Sequence, residues 1–172
     1  MDIGIVHSAS PADRAPLQHM LELYQYELSD IWDQDLDEQG EYGYALDKFF
    51  DPALRGHTHH AFIVRAEGQF AGFALVNDAL KVGAVGQGHW MDQFFILKKY
   101  RRQGLGRLAA TQVFAARPGH WEVGQMLANH AAQAFWRRVI AELPQASPME
   151  YREHRLTGGW WEGIVQCFDN AV

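Results

Sequence analysis

The stretch from His89 to Ala110, HWMDQFFILKKYRRQGLGRLAA, constrains this chain more than any other. Met91 to Leu97 is apolar and aromatic and reads as a strand buried on at least one face. Six polar or charged positions follow, Lys98 to Gln103 with Tyr100 among them, and then Gly104-Leu105-Gly106. Beyond Gly104, the residues Leu105, Leu108, Ala109, Val113 and Ala116 recur at helical spacing. A strand, a basic turn and a glycine-relieved helix start make an anion site. The N–H groups of a first helical turn lack carbonyl partners, the helix dipole adds partial positive charge, and glycine lets a phosphate come close. Lys98, Lys99, Arg101, Arg102 and Arg107 crowd into this turn, although the chain as a whole carries a net charge of -6. The pattern predicts a cradle for a diphosphate.

Three readings of that turn compete. In the first, it is a solvated surface turn whose glycines serve helix packing. In the second, Gly104, Gly106 and Ala109 satisfy the G-x-G-x-x-A of a Rossmann fingerprint. There, however, the glycine follows its strand almost at once and opens the domain, whereas here a basic turn intervenes past mid-chain. A P-loop is excluded, because no Gly-Lys-Ser/Thr follows. In the third, Arg101-Arg102-Gln103-Gly104-Leu105-Gly106 matches the R/Q-x-x-G-x-G/A signature, preceded by a strand, of the GNAT superfamily of CoA-dependent N-acetyltransferases. The chain resembles that superfamily.

The other elements follow in an order that can be read off. Ile3 to His7 suits a short strand. Ser10-Pro11-Ala12-Asp13 is a helix start, with Ser10 as N-cap, Pro11 at the first helical position and Asp13 placed for the return bond of a capping box. Leu17, Met20, Leu21, Tyr24, Leu28 and Ile31 then keep helical spacing. Ala61 to Val64 and Phe70 to Val76 flank a Glu67-Gly68-Gln69 turn as a hairpin, and Asn77 to Gly88, with Gly83 and Gly86, reads as a loop. After Arg117-Pro118-Gly119 come a strand candidate from Trp121 to Leu127 and a helix carrying Ala132, Phe135, Trp136, Val139, Ile140 and Leu143, ended by Pro144. Met149 to Leu156, Gly158-Gly159 and Trp160 to Phe168 look like a closing hairpin. The order β-α-(acidic segment)-β-β-β-α-β-α-β-β predicts an α+β domain with a mixed sheet.

Size and composition narrow the class further. A chain of 172 residues forms one domain, here 1–172, with its own core. Its one cysteine, Cys167, excludes an internal disulfide and suits a reducing compartment. No basic region and apolar run open the chain, and no apolar stretch nears the roughly 20 residues of a membrane helix. The expectation is a cytoplasmic protein without a membrane partner. Localised basic charge on an acidic chain also argues against nucleic acid as the main partner.

From Glu27 to Asp51 nine carboxylates face a single positive residue, Lys48, with Trp32, Tyr42, Tyr44, Phe49 and Phe50 interleaved. Such a run is either a solvated acidic loop or a wall for a cationic, amine-bearing ligand. Trp32, Asp33, Tyr42 and Tyr44 are the candidate contacts. His57-Thr58-His59-His60 lacks companion ligands at a recognised spacing, so these read as strand-edge histidines and no metal is expected.

The resemblance covers nearly the whole chain and extends to a second motif, because Asn129-x-x-Ala132-x-x-Phe135-Trp136 is similar to the family's N-x-x-A-x-x-hydrophobic-Tyr. It implies a mostly antiparallel central sheet flanked by helices and splayed between the fourth and fifth strands. It further implies acetyl-CoA as co-substrate and a small amine-bearing acceptor that attacks the thioester directly. By position, Phe94, Phe95 and Ile96 would offer backbone groups to the acetyl carbonyl and pantetheine arm. Arg101, Arg102, Gln103, Gly104, Leu105, Gly106 and Arg107 would hold the pyrophosphate. Asn129 would bond the pantetheine or the adjacent sheet, although a helix N-cap fits it equally. Trp136 stands where many members carry a tyrosine acid, and indole has no comparable proton. Asp92, on the same strand face as Trp90, is the candidate for proton removal, directly or through water, beside a purely structural alternative. Tyr100 and Tyr151 are candidate acids that nothing in the sequence selects. A CoA-binding sensor without turnover, an acetylase of protein N-termini or lysines, and a homodimer through Trp160 or Trp161 stay open.

Overall fold

The N-terminal helix begins where Ser10 and Asp13 direct it. The Ser10 N–H and hydroxyl both donate to Asp13 Oδ2, at 2.9 and 2.8 Å. A short 3-10 turn over Pro11–Asp13 then leads into α1 (Arg14–Trp32). The computed structural model describes residues 5–55, 58–81, 87–144, 148–153 and 162–170. The expected turns at Gly83, Gly86 and Gly158-Gly159, together with His57, Trp160, Trp161 and the Tyr151 side chain, lie outside them.

Seven strands form one sheet: β1 (Ile5–Ser8), β2 (His59–Ala66), β3 (Gln69–Asn77), β4 (His89–Ile96), β5 (His120–Met126), β6 (Met149–Glu153) and β7 (Gly163–Asp169). Their spatial order is β1-β2-β3-β4-β5-β7-β6, and β4–β5 is the parallel pair among antiparallel ones. Two single-turn helices follow one another, α2 (Asp47–Phe50) near the end of the acidic segment and α3 (Pro52–Arg55) just beyond it. Helices α4 (Leu105–Ala116) and α5 (His130–Ala141) flank β5 in sequence. The β2–β3 turn has positive φ at both Glu67 and Gly68, the combination that a two-residue hairpin loop with right-handed strand twist demands.

Strand alternation divides the core between the two sheet faces. Phe62, Ala74, Val76, Met91 and Phe168 pack with Phe114 of α4 and Trp136, Val139 and Ile140 of α5. Ile63, Phe73, Leu75 and Phe95 pack instead with Leu17, Met20 and Leu21 of α1 and with Leu46 and Phe49.

Two departures from a regular ladder shape the middle of the sheet. Along β3, Leu75 pairs with Gln93 and the next residue, Val76, pairs with Met91, so Asp92 is an extra residue, a β-bulge. Along β5, the pairing ends after His89↔Trp121, Trp90↔Glu122 and Met91↔Val123. Past that point the strands part. At the paired end, Asp78 gathers four segments. It binds His60 at 2.8 Å, His89 at 2.7 Å and the Arg117 guanidinium at the end of α4. Burial would raise its carboxyl, but the hydrogen bonds from His89 and His60 and the charge of Arg117 hold it below the usual range.

Candidate active site

Where β4 and β5 part, a cleft of about 600 Å³ opens between Asp92–Ile96, Val123–Gln125, the start of α4, one side of α5, and Tyr24 and Glu27 of α1. At its basic end the chain turns through Arg102 (φ 61°) and Gly104 (φ 82°) into α4. The first helical bond is Leu108 N–H to the Gly104 carbonyl at 3.0 Å, so the preceding N–H groups lack helical acceptors. A Cβ on Gly104 would meet nothing within 4 Å, whereas one on Gly106 would stand 3.3 Å from the Phe135 ring. Gly104 therefore supplies a left-handed turn and Gly106 a close approach.

The side chains of this turn divide their work. Arg102 is exposed at the cleft mouth, and Arg107 there pairs with Glu142, just past the end of α5, at 2.9 Å. Arg101 is occupied in a way that a count of charges could not foresee. Its Nη atoms donate to both Glu27 oxygens at 2.5 and 2.7 Å, and its Nε donates to the Ile96 carbonyl at 2.6 Å. It braces the turn against α1 instead of offering an open cation. Gln103 donates to the Lys99 carbonyl at 3.0 Å and Leu105 is buried, and neither side chain lines the cleft.

The middle of the cleft is backbone. Leu97 N–H bonds the Ala71 carbonyl at 2.9 Å on the β3 side. By alternation, the N–H and C=O groups of Phe94 and Ile96 then point to the opposite side, into the gap. Phe95 directs its ring the other way, buried beside Tyr24 and Phe73. On α5, the Asn129 side chain accepts from Ala132 N–H at 3.2 Å as an N-cap while still lining the cleft. Trp136 is buried edge-on against Phe94, their ring centroids 5.0 Å apart. Behind it, Gln166 donates to Gln125 at 2.9 Å and to the Gln133 carbonyl at 3.2 Å, which ties β7 to β5 and α5.

At the third end, the bulge turns Asp92 into the cleft. Tyr44 donates its hydroxyl to Asp92 Oδ2 at 3.0 Å, and Lys48 Nζ lies 3.8 Å from the same oxygen. Burial, then the charge of Asp92, pushes the Tyr44 phenol well above its ordinary range, so it remains a donor. Tyr24 is pushed up in the same way, by burial and then by Asp92 and Glu27. Of the four candidate acceptor contacts, Tyr44 reaches the site through Asp92, and the other three stand back from the cleft lining. Trp32 packs on Tyr24 at 5.3 Å, Asp33 ends α1 in a left-handed conformation, and the Tyr42 N–H is held by Glu22. The residues that sequence reading missed here are Tyr24, which kept the spacing of an ordinary helix stripe, and Glu27, which was counted only as the first carboxylate of the acidic segment.

Among the described residues, no helix is long and apolar enough to cross a membrane. No curated protein matches the sequence. Solved structures similar to the chain share its fold at low identity. The ribosomal-protein-S18-alanine N-acetyltransferase from Escherichia coli is 16% identical, with a TM-score of 0.60 over 99% of this chain and 96% of that one. Histone acetyltransferase HPA2 and related acetyltransferase from Corynebacterium glutamicum is 14% identical, at 0.67 over 99% and 98%. The aminoglycoside acetyltransferase AAC(6')-Ib, in complex with coenzyme A, is 13% identical, at 0.65 over 96% and 94%. Residues 18–140, which run from α1 through the bulged strand and the glycine turn to α5, match the acetyltransferase (GNAT) family, and the chain belongs to that family.

Proposed function

We propose that the chain moves an acetyl group from acetyl-CoA to the primary amine of a small cationic acceptor, by direct attack of that amine. The features of the cleft fit the co-substrate. N–H groups without helical acceptors and Arg102 stand at the basic end, and Gly106 leaves the passage beside Phe135 open. Arg107 shares a solvent-exposed pair with Glu142, a kind worth no more than about 1 kcal/mol, so a phosphate can compete for it. The co-substrate supplies an activated acetyl thioester. The inward N–H of Phe94 or Ile96 would donate to the acetyl oxygen as negative charge develops there.

The observation that carries the reading is Asp92, turned by the bulge to the same gap that receives the backbone groups of Phe94 and Ile96. Its carboxylate is the group suited to take the ammonium proton, directly or through a water. Lys48 beside it marks a position that favours a cation, and its half-exposed side chain can withdraw for an acceptor ammonium. Tyr24, Tyr44 and Glu27 extend this wall with aromatic and acidic surface suited to an amine.

Titration calorimetry with acetyl-CoA, the parent chain compared with Gly106→Leu, tests the first half. Absence of binding by the parent would remove the proposal. Thiol release over a panel of polyamines, aminoglycosides and amino acids tests the second half. Binding without turnover on any of them would favour a sensor, and a mass shift on a co-purified protein would favour a protein acceptor.

A further inference from the structure

We infer that His120, Glu122 and Cys167 form a binding site for one divalent cation of the zinc class, on the face of β5–β7 turned away from α4 and α5. The ladder sets this arrangement. Trp121, Val123 and Phe168 point into the core shared with α4 and α5. Their neighbours His120, Glu122, Cys167 and Asp169 therefore point to the other face. Glu122 pairs with Cys167 and His120 pairs with Asp169, so the four side chains occupy two rungs of one face, with the inward-facing Trp121↔Phe168 rung between them. One ligand atom from each of His120, Glu122 and Cys167 falls within 4.8 Å of the other two. Around a tetrahedral zinc, such atoms sit roughly 3.5 Å apart, a closure within reach of side-chain torsions.

The surroundings have the character of a metal site. Glu122 is fully buried, with Oε2 accepting the Lys81 N–H at 2.7 Å, and Cys167 is buried beside it. His120 Nδ1 bonds Asp169 Oδ1 at 3.0 Å, so with Nε2 as the metal ligand Asp169 would be the outer carboxylate that orients the ring. One thiolate, one imidazole and one carboxylate select a borderline-soft ion over magnesium or calcium, and leave a fourth position for water. Cys167 carries a thiol proton that must leave before its sulfur can hold a cation. Coordination replaces that proton, which passes to the buffer. Local spacing in the sequence hides the set, because Cys167 lies far along the chain from His120 and Glu122.

The test uses the whole chain, stripped with a chelator and titrated with Co²⁺. The expected result is one equivalent bound with an intense thiolate-to-cobalt absorption, and Zn²⁺ abolishing that absorption. Cys167→Ser removes the absorption. Asp169→Asn raises the midpoint by about 10–100-fold, and His120→Ala raises it at least as far. Circular dichroism melting and acetyl-CoA binding report the folding of each variant. His120 and Asp169 are partly exposed, so their variants give the answer even where Cys167→Ser fails to fold. No thiolate absorption, cobalt held equally by Cys167→Ser, or an unmoved midpoint in His120→Ala would overturn the site.

Discussion

Asp92 owes its place to one surplus residue in a strand. Trp90, two residues before Asp92, packs on Val165 and Cys167 away from the α4–α5 core. The bulge that turns the carboxylate into the cleft was not legible, since a bulge belongs to a pair of strands and only one of them is local. If Asp92 takes the proton, Asp92→Asn lowers kcat by about 10²-fold and leaves acetyl-CoA binding unchanged in calorimetry. An equal loss of binding would make its role structural. Trp136 offers a complementary check. The indole is packed on Phe94, Phe114 and Phe135 and has no acidic proton to give. Trp136→Phe should lower Tm by a few degrees while kcat stays at the parent level. A collapse of kcat without loss of Tm would contradict this. The pairing of Arg101 with Glu27 was not legible, because composition counts cations without showing which carboxylate folds back onto them.

At the scale of elements, the strand–turn–helix unit was the most readable part of the chain, because strand period, basic turn and glycine spacing all lie within one local stretch. The division of labour between its glycines needed the structure. Gly104→Ala meets no atom and so costs only backbone strain, about 1 kcal/mol, which appears as a small loss of Tm with binding largely kept. Gly106→Leu drives its side chain against Phe135 and should raise the acetyl-CoA Kd by at least tenfold while the fold is retained. Equal binding by the two variants would show that the passage beside Phe135 is not used. Arg101→Ala cuts a bidentate pair between the turn and α1. At its half-exposed position that removes about 1 kcal/mol of stability, read from urea unfolding. The acidic segment was legible as composition but not as geometry. Glu27 sits on α1, Asp33 caps it, and Tyr44 alone of the four proposed contacts reaches Asp92.

For the whole molecule, the element order and the mixed sheet were legible, because periods of 2 and 3.6 alternate cleanly along the chain. The insertion of β7 between β5 and β6 was not, since nothing local states which neighbour a strand will choose. The carboxylate hub at Asp78 was also hidden, with its partners drawn from β2, β4 and the end of α4. Its folded value is depressed below the reference of 3.8. The linkage therefore adds stability above pH 3.8 and loses it as pH falls through the lower folded value. Urea unfolding of the parent and Asp78→Asn should differ most near neutrality and converge in acid. A gap that widens on acidification would refute this. The three rungs that join β4 to β5 carry a mechanical consequence. The sheet behaves as two leaves stitched along a short seam, with an open placket below it. An amide-bearing guest lying in the placket would lace the leaves together, so hydrogen exchange at Phe94 and Ile96 should slow on its arrival, while β2 and β3 keep their own rate.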